Sequence, residues 1–328
     1  AAIEGVTLAA CVDVDVARAK AFAEKHGIAT TYPSLDAALA AGGIDAMANV
    51  TPDSAHYATT MQALRAGLHV FCEKPLATDA SHASEMTLTA NGAGVIHGLN
   101  LSYRNVSALH AARDLVKDGA LGALRHFEAS YLQSWLTQPA WGDWRTEDAW
   151  LWRLSMAHGS TGVLGEVGIH IHDFLTNAAA DDVSHLSADL TTFPKAEGDR
   201  IGDYALDAND SVTMIARLEG GASGVIHATR FASGHLNDLS VRLYGDKGGL
   251  RLTNAGDLGT LEVCRGENLT TATWETVDLA PVDTNFERFA YAVRTGVRMR
   301  PDFGTGARLQ RLLDTAFDAE SRMPRVVL

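Results

Sequence analysis

Short apolar segments alternate with helix-forming segments through the first hundred residues, and this alternation restricts the fold more than any other feature of the chain. The segments with the composition of buried strands are residues 6–12, 44–50, 67–72 and 95–99. Glycines such as Gly27 and Gly67 follow the intervening helical segments, as is typical of helix C-termini. This succession predicts an α/β fold with a parallel, doubly wound sheet and right-handed crossovers.

One of these strands ends in a charged pair followed by a proline, Glu73-Lys74-Pro75. Residues 67–72 are typical of a strand buried on both faces, and Pro75 cannot continue its hydrogen-bond ladder. We therefore expect Glu73 and Lys74 at the carboxyl end of a parallel strand, where α/β folds bind their ligands. A lysine there can donate hydrogen bonds to a substrate hydroxyl. An ordinary surface ion pair is the alternative interpretation.

Asp13 follows the first apolar segment and is the second informative residue. In dinucleotide-binding folds an acid at this place accepts hydrogen bonds from the ribose of NAD and repels the 2′-phosphate of NADP. No arginine follows directly, since Arg18 lies a turn into the next helix, and NAD is therefore favoured over NADP. Alternatively Asp13 caps that helix, a role that Asp15 could fill instead.

The glycine-rich phosphate loop of a dinucleotide-binding unit, Gly-x-Gly-x-x-Gly, does not occur in the chain. It is expected in the first βα turn, ahead of the strand that ends near Asp13. We therefore expect a first strand and its phosphate loop to precede Ala1.

Three segments resemble the glucose–fructose oxidoreductase/inositol dehydrogenase (Gfo/Idh/MocA) family: residues 49–56, with Thr-Pro-x-x-x-His, residues 66–75, with Glu-Lys-Pro, and residues 99–104. The resemblance implies a Rossmann-type cofactor domain over residues 1–101. A second α/β domain with a large, mostly antiparallel open sheet is implied over residues 102–328. The cofactor-binding residues that it implies are Asp13, Thr51, Pro52, His56, Glu73, Lys74 and Arg153.

A glycine-rich helical segment, residues 159–173, carries Glu166 and His170 four residues apart, hence on one helical face. His170 can serve as a general base near neutral pH. Gly165 and Gly168 suggest a close approach of the backbone to a ligand. The alternatives are a surface ion pair and, with His172 and Asp173, a metal site, which the spacing disfavours.

On this segment the family carries Asp-x-x-x-His, whose acid and histidine work with the lysine of Glu-Lys-Pro. The resemblance therefore implies that Lys74, Glu166 and His170 are catalytic, with glutamate in place of the usual aspartate. His170 would take the hydroxyl proton, Lys74 would stabilise the alkoxide, and Glu166 would orient His170.

Five of the six tryptophans lie between Trp135 and Trp152, in a segment without regular periodicity. We expect a long structured loop in which most of these rings pack, while Trp152 and Arg153 reach the site. Tyr103, Arg104 and Trp152 are the predicted substrate-binding residues. Further on, residues 210–218 and 222–231 alternate in polarity around a hairpin signal and predict antiparallel strands.

The composition narrows the function further. A net charge of −13 over 328 residues disfavours nucleic acid, and no apolar run is long enough to span a membrane. The start lacks the features of a signal peptide, and three scattered cysteines indicate reduced thiols in a cytoplasmic protein. We expect a homodimer or homotetramer that transfers hydride between NAD(P) and a sugar or polyol hydroxyl. An NAD-dependent glycoside hydrolase and a non-catalytic dinucleotide sensor are the alternatives.

Overall fold

The computed structural model describes residues 3–320, and contacts within the chain divide them into two compact units. The first unit comprises residues 3–102 and 283–310, and the second comprises residues 103–282 and 311–320. Residues 283–310 thus group with the first hundred residues, whereas the sequence suggests a single boundary after residue 101.

The first unit is built from parallel strands that alternate with helices. Its strands are β1 (Ala10–Val12), β2 (Thr30–Tyr32), β3 (Ala46–Asn49), β4 (His69–Glu73) and β5 (His97–Asn100). The helices between them are α1 (Val16–His26), α2 (Leu35–Ala41), α3 (His56–Arg65) and α4 (Ala80–Ala93). β1 pairs with β2, and β3, β4 and β5 form a three-stranded sheet in that order, with every pair parallel. The predicted parallel βα organisation is confirmed, in two sheet pieces.

The second unit is organised on an eight-stranded sheet. Its strands are β6 (Leu124–Leu132), β7 (Val183–Thr191), β10 (Ser211–Leu218), β11 (Ser223–Thr229), β12 (Asp238–Gly245), β13 (Gly248–Thr253), β14 (Thr260–Arg265) and β15 (Glu275–Thr276). They lie in the order β15-β14-β13-β12-β6-β11-β10-β7. Only β6 and β11 pair in parallel in this sheet. The predicted hairpin is formed by β10 and β11. The two shortest strands, β8 (Arg200–Ile201) and β9 (Tyr204–Ala205), form a separate hairpin.

Helices cover one face of the large sheet. They are α5 (Ser107–Lys117) and α7 (Ile169–Ala179), which contact strands β6, β12 and β13. Along β10 the side chains of Val212, Met214 and Ala216 are buried, whereas Ile215 between them is 62% exposed. This alternation follows from the period of two in a strand with one covered face.

The tryptophan-rich segment forms short turns around a small core. It contains α6 (Asp148–Leu151) and two 3-10 turns, Trp152–Leu154 and Met156–His158. Trp135 and Trp144 are buried in an apolar cluster against which Trp141 and Trp150 also pack. The packing of these four rings matches the expectation from the sequence.

Three further helices complete the described chain: α8 (Asn268–Thr271), α9 (Asn285–Thr295) and α10 (Phe303–Glu320). α9 begins with a capping box in which Thr284 and Glu287 satisfy each other's backbone N–H groups. No helix within residues 3–320 combines the length and the apolar composition that crossing a bilayer requires.

Candidate active site

The Glu-Lys-Pro motif of the first unit ends a strand, as the sequence predicts. β4 ends at Glu73, and the three residues before it are buried. The Glu73 carboxylate accepts hydrogen bonds from Asn100 Nδ2 at 2.5 Å and from the Lys74 backbone N–H at 3.3 Å. Because Asn100 ends the adjacent strand β5, Glu73 links two strand ends and fixes the backbone at Lys74.

His56 is fully buried and links the loops that follow β3 and β4. Its ring nitrogens lie 2.6 Å from the Pro75 carbonyl oxygen and 2.9 Å from that of Thr51. The hydroxyl of Thr51 donates to Asn49 Oδ1 at 2.8 Å, and Pro52 continues the same loop. His56 therefore positions Thr51 and Pro75 through their backbones. The sequence reasoning missed Asn49, whose signal is an amide at the end of an apolar strand before Thr-Pro.

Two aspartates follow β1 and have separate roles. Asp15 caps α1, because its side chain accepts hydrogen bonds from the backbone N–H groups of Ala17 and Arg18. Backbone hydrogen bonds of this kind stabilise the carboxylate and lower the pKa of Asp15. Asp13 accepts a bond from Asp15 N at 2.8 Å and lies 3.5 Å from Arg18, which is 70% exposed. With the cap supplied by Asp15, the carboxylate of Asp13 remains the acid predicted for a ribose.

The segment that carries Glu166 and His170 is not a uniform α-helix. Leu164–Gly168 forms a π-helical turn that continues into α7. Such turns occur frequently at functional sites. A Cβ atom on Gly165 would lie 2.0 Å from Thr161 Oγ1. This glycine therefore makes room for Thr161, not for a ligand as its position in the sequence suggests.

Glu166 lies between two arginines, a group that we call the arginine clamp (Arg153, Glu166 and Arg230). One carboxylate oxygen, Oε2, is 2.8 Å from Arg153 Nη1 and 3.1 Å from Arg230 Nη2. The side chains of Arg153, Glu166 and Arg230 are 36%, 15% and 0% exposed, respectively. Each guanidinium also lies over an indole ring, Arg153 over Trp152 at 4.6 Å and Arg230 over Trp135 at 5.0 Å.

A second buried ion pair adjoins the arginine clamp. Lys195 Nζ lies 2.5 Å from Asp210 Oδ2, and both side chains are fully buried. The same oxygen accepts a bond from Phe193 N, and the Asp210 carbonyl oxygen accepts one from Arg230 N. Burial raises the pKa of Asp210 and lowers that of Arg230, while neighbouring opposite charges act against both shifts. Sequence reasoning missed Lys195, Asp210 and Arg230, whose partners are distant in the chain.

His170 faces two tyrosines of the second unit. Its ring is edge-on to Tyr103 at 5.1 Å and to Tyr131 at 6.3 Å between centroids. The hydroxyl oxygens of Tyr103 and Tyr131 are 2.6 Å apart. Burial raises the pKa of both phenols, so each keeps its proton at neutral pH. The predicted base therefore lies beside the predicted substrate residue Tyr103, and Tyr131 is an addition that the sequence did not suggest.

The other predicted substrate residues of this unit lie in charged or aromatic contacts. Arg104 donates two parallel hydrogen bonds to Asp173, at 2.7 and 2.6 Å, and both side chains are largely buried. This bidentate pair fixes Arg104 to helix α7. Trp152 is partly buried and stacks on Arg153, which joins it to the arginine clamp.

His172, two residues beyond His170, points into the interior. It is fully buried, and neither ring nitrogen has a hydrogen-bond partner within residues 3–320. Burial lowers the pKa of His172 to about 3, so the ring is neutral at physiological pH. The described residues also contain no group of three histidine, cysteine or acidic side chains arranged to hold a metal ion.

A parallel βα unit of the class that binds dinucleotides is followed here by a unit on a large, mostly antiparallel sheet. Two family models match the chain: the NAD-binding Rossmann fold of the oxidoreductase family at residues 2–101, and the GFO/IDH/MocA C-terminal domain at residues 109–251. The chain belongs to the Gfo/Idh/MocA oxidoreductase family, which confirms the resemblance seen in its sequence.

Individual relatives agree with this assignment. The chain is 27% identical over 214 residues to levoglucosan dehydrogenase of Pseudarthrobacter phenanthrenivorans, covering 61% of this chain and 53% of the relative. It is 34% identical over 168 residues to 1,5-anhydro-D-fructose reductase of Ensifer adhaerens, covering 50% and 46%. The aligned part thus spans about half the length of these two relatives. The crystal structure of an oxidoreductase domain protein from Kribbella flavida superposes with a TM-score of 0.82 at 29% identity, covering 96% of this chain and 88% of that one.

Proposed function

We propose that the protein transfers hydride between NAD and a secondary hydroxyl of a sugar or polyol. The strongest support is that both parts of the chain match one oxidoreductase family. The family model that matches the N-terminal part describes an NAD-binding Rossmann fold. Two relatives named for sugar-derived compounds support a carbohydrate substrate. NADP is the less favoured cofactor because Asp13 would repel a 2′-phosphate.

The residues of the first unit fit a dinucleotide. Asp13, Thr51 and Glu73 lie at or just beyond the carboxyl ends of β1, β3 and β4, the end at which parallel sheets bind nucleotides. Each of the three side chains is oriented by a hydrogen bond within the first unit. The partners are the Asp15 backbone N–H for Asp13, Asn49 Oδ1 for Thr51 and Asn100 Nδ2 for Glu73. The nicotinamide ring of bound NAD would accept the hydride from the substrate.

In the proposed reaction His170 takes the hydroxyl proton as the carbon–oxygen double bond forms. Lys74 stabilises the negative charge that develops on that oxygen. The arginine clamp holds the Glu166 carboxylate in a fixed position four residues before His170. Tyr103, Arg104 and Trp152 are proposed to contact the substrate, and Arg153 the cofactor.

The face of the large sheet that α5 and α7 leave uncovered supports a proposal about assembly. Ile215 and Val225 are 62% and 38% exposed there. We propose that two or four copies associate through this face, which light scattering coupled to size-exclusion chromatography would test. Cytoplasmic location is likewise proposed, on the basis of the cofactor and the free thiols.

The direct test is the absorbance of reduced nicotinamide with NAD and a panel of sugars and polyols. Lys74→Ala should lower turnover at least a hundredfold while weakening NAD binding far less, because the lysine acts on the reacting oxygen. Lys117→Ala, which removes an exposed lysine of α5, is the matched control and should leave turnover unchanged. Near-normal turnover of Lys74→Ala would contradict the role of Lys74. Sugar release without net NADH would indicate a glycoside hydrolase, and NAD binding without any turnover would indicate a sensor.

A further inference from the structure

A chain of hydrogen bonds runs from Tyr103 away from His170, and we call it the tyrosine relay (Tyr103, Tyr131, Asn237 and Gln133). Tyr131 lies on β6, and its hydroxyl is 2.6 Å from that of Tyr103. On its other side the Tyr131 hydroxyl donates to Asn237 Oδ1 at 2.9 Å. Gln133 Nε2 donates to the same amide oxygen at 2.6 Å. All four residues belong to the second unit.

The order of these bonds fixes the direction of the contact between the two tyrosines. Asn237 Oδ1 can only accept, and it accepts from both Tyr131 and Gln133. A phenol carries one proton. With the proton of Tyr131 directed at Asn237, the arrangement that satisfies all of these contacts has Tyr103 donate the bond of 2.6 Å to Tyr131.

This direction determines what Tyr103 can offer to a ligand. Its only proton is held by Tyr131, so the Tyr103 oxygen presents lone pairs alone. Burial raises the pKa of Tyr103 and Tyr131, and neither phenol loses its proton at neutral pH to reverse the arrangement. The Tyr103 ring is also held edge-on against His170, which restricts its movement.

We propose that Tyr103 determines substrate specificity by accepting a hydrogen bond from a hydroxyl of the sugar other than the one that His170 deprotonates. The proposal rests on the proposed function, since it requires a polyhydroxyl substrate in front of His170. Groups that only accept hydrogen bonds, such as a carboxylate, an ether or a fluorine, are disfavoured at that position because two lone pairs would face each other. The preferred substrate is therefore a neutral polyol with a free hydroxyl there.

The experiment compares parent sugars with their monodeoxy and monodeoxyfluoro derivatives in the wild type and in Tyr103→Phe. The probes are D-glucose, a methyl glucoside, levoglucosan and myo-inositol, each measured with NAD. At one position other than the oxidised carbon, the fluoro derivative should lose roughly ten- to hundredfold in kcat/KM in the wild type. In Tyr103→Phe this loss should be roughly tenfold smaller or more, because only the inductive effect of fluorine remains. Because fluorine also slows oxidation inductively, only the difference between the two enzymes is interpreted.

Two further variants test the direction of the bond. Tyr131→Phe removes the acceptor for the Tyr103 proton, so Tyr103 can donate and the penalty on the fluoro derivative should shrink. Asn237→Asp keeps an acceptor for Tyr131 and should keep the penalty. An identical fluoro-to-parent ratio in the wild type and Tyr103→Phe would overturn the proposal. So would a wild type that accepts the fluoro derivative and rejects the deoxy one, because Tyr103 would then be the donor.

A failure of the dehydrogenase assignment can be distinguished from a failure of the role proposed for Tyr103. If no probe is oxidised, the dehydrogenase assignment fails, and Tyr103 is tested by calorimetric binding of the same sugars in the presence of NADH. The affinity ratio of parent to fluoro derivative should again be roughly tenfold or more in the wild type and close to one in Tyr103→Phe. Equal ratios in the two proteins would refute the role of Tyr103 irrespective of catalysis.

Discussion

Neutralising one member of the arginine clamp should have very different effects depending on which charge is removed. Arg230→Met replaces the fully buried guanidinium with a shorter, uncharged side chain and removes its hydrogen bond to the Arg153 carbonyl oxygen. Glu166 then keeps Arg153 at 2.8 Å as its partner. Glu166→Gln instead leaves two guanidinium groups beside each other without the carboxylate between them, and the one on Arg230 has no access to water.

The expected losses of stability follow from the distances between the charged groups of the arginine clamp and from their burial. The attraction across the 3.1 Å between Glu166 Oε2 and Arg230 Nη2 is about 5 kcal/mol at an effective dielectric constant of 20. Desolvation of the buried arginine offsets much of it, as its lowered pKa indicates. We expect Arg230→Met to cost about 1–3 kcal/mol, since one ion pair survives. Glu166→Gln should cost about 3–5 kcal/mol, the range for a buried charge left without its partner.

Urea unfolding followed by tryptophan fluorescence measures the free energy of unfolding of each variant. All six tryptophans lie between residues 135 and 274, so the signal comes from the second unit alone. The double variant should be more stable than Glu166→Gln, because removing Arg230 relieves the repulsion that the single change creates. The coupling energy should be about 1–3 kcal/mol. The proposed charge balance in the arginine clamp would be refuted if Glu166→Gln were no more destabilising than Arg230→Met, or if the two changes were additive.

Two other predictions concern protonation and cofactor choice. The pKa of His172 is about 3 in the folded state and near 6.5 in the unfolded state. Between these two pH values only the unfolded chain binds a proton on this ring. The free energy of unfolding therefore falls as the pH is lowered through this range. Replacing His172 with phenylalanine should reduce the slope of unfolding free energy against pH by about 1.4 kcal/mol per pH unit between pH 4 and 6, as measured by urea unfolding. An unchanged slope would show that His172 does not titrate as inferred. Asp13→Ala should raise the Kd for NAD roughly tenfold or more and shift preference toward NADP in a fluorescence titration. The matched change Asp15→Ala should weaken α1 and leave the NAD-to-NADP ratio unchanged, and a shifted ratio would argue against the separate roles of the two acids.

Local features could be predicted from the sequence because their causes are local. The strand segments of the first unit, the end of β4 at Glu73 and the capping of α1 by Asp15 all depend on residues within a few positions of one another. A period of two likewise identifies the hairpin of β10 and β11. The family was recognised because its motifs are short segments whose residues and order can be read directly.

The contacts that shape the second unit depend on residues far apart in the chain. Arg230 meets Glu166 across 64 positions, and Tyr131 meets Asn237 across 106. No pattern within one segment specifies either pair, and both require the completed sheet. Gly165 shows the complementary error, because a glycine that accommodates Thr161 looks the same in sequence as one that accommodates a ligand.

The proposed reaction moves a carbon-bound hydrogen of the sugar to NAD, and an isotope-transfer experiment follows that hydrogen. The best substrate of the panel would be deuterated at the carbon that is oxidised, and the reduced nicotinamide would be analysed by mass spectrometry. We predict one deuterium on each NADH formed, with a Lys74→Ala enzyme that gives the same label at a much lower rate. Unlabelled NADH, or a sugar product that has lost its label without net NADH, would contradict hydride transfer from the sugar to NAD.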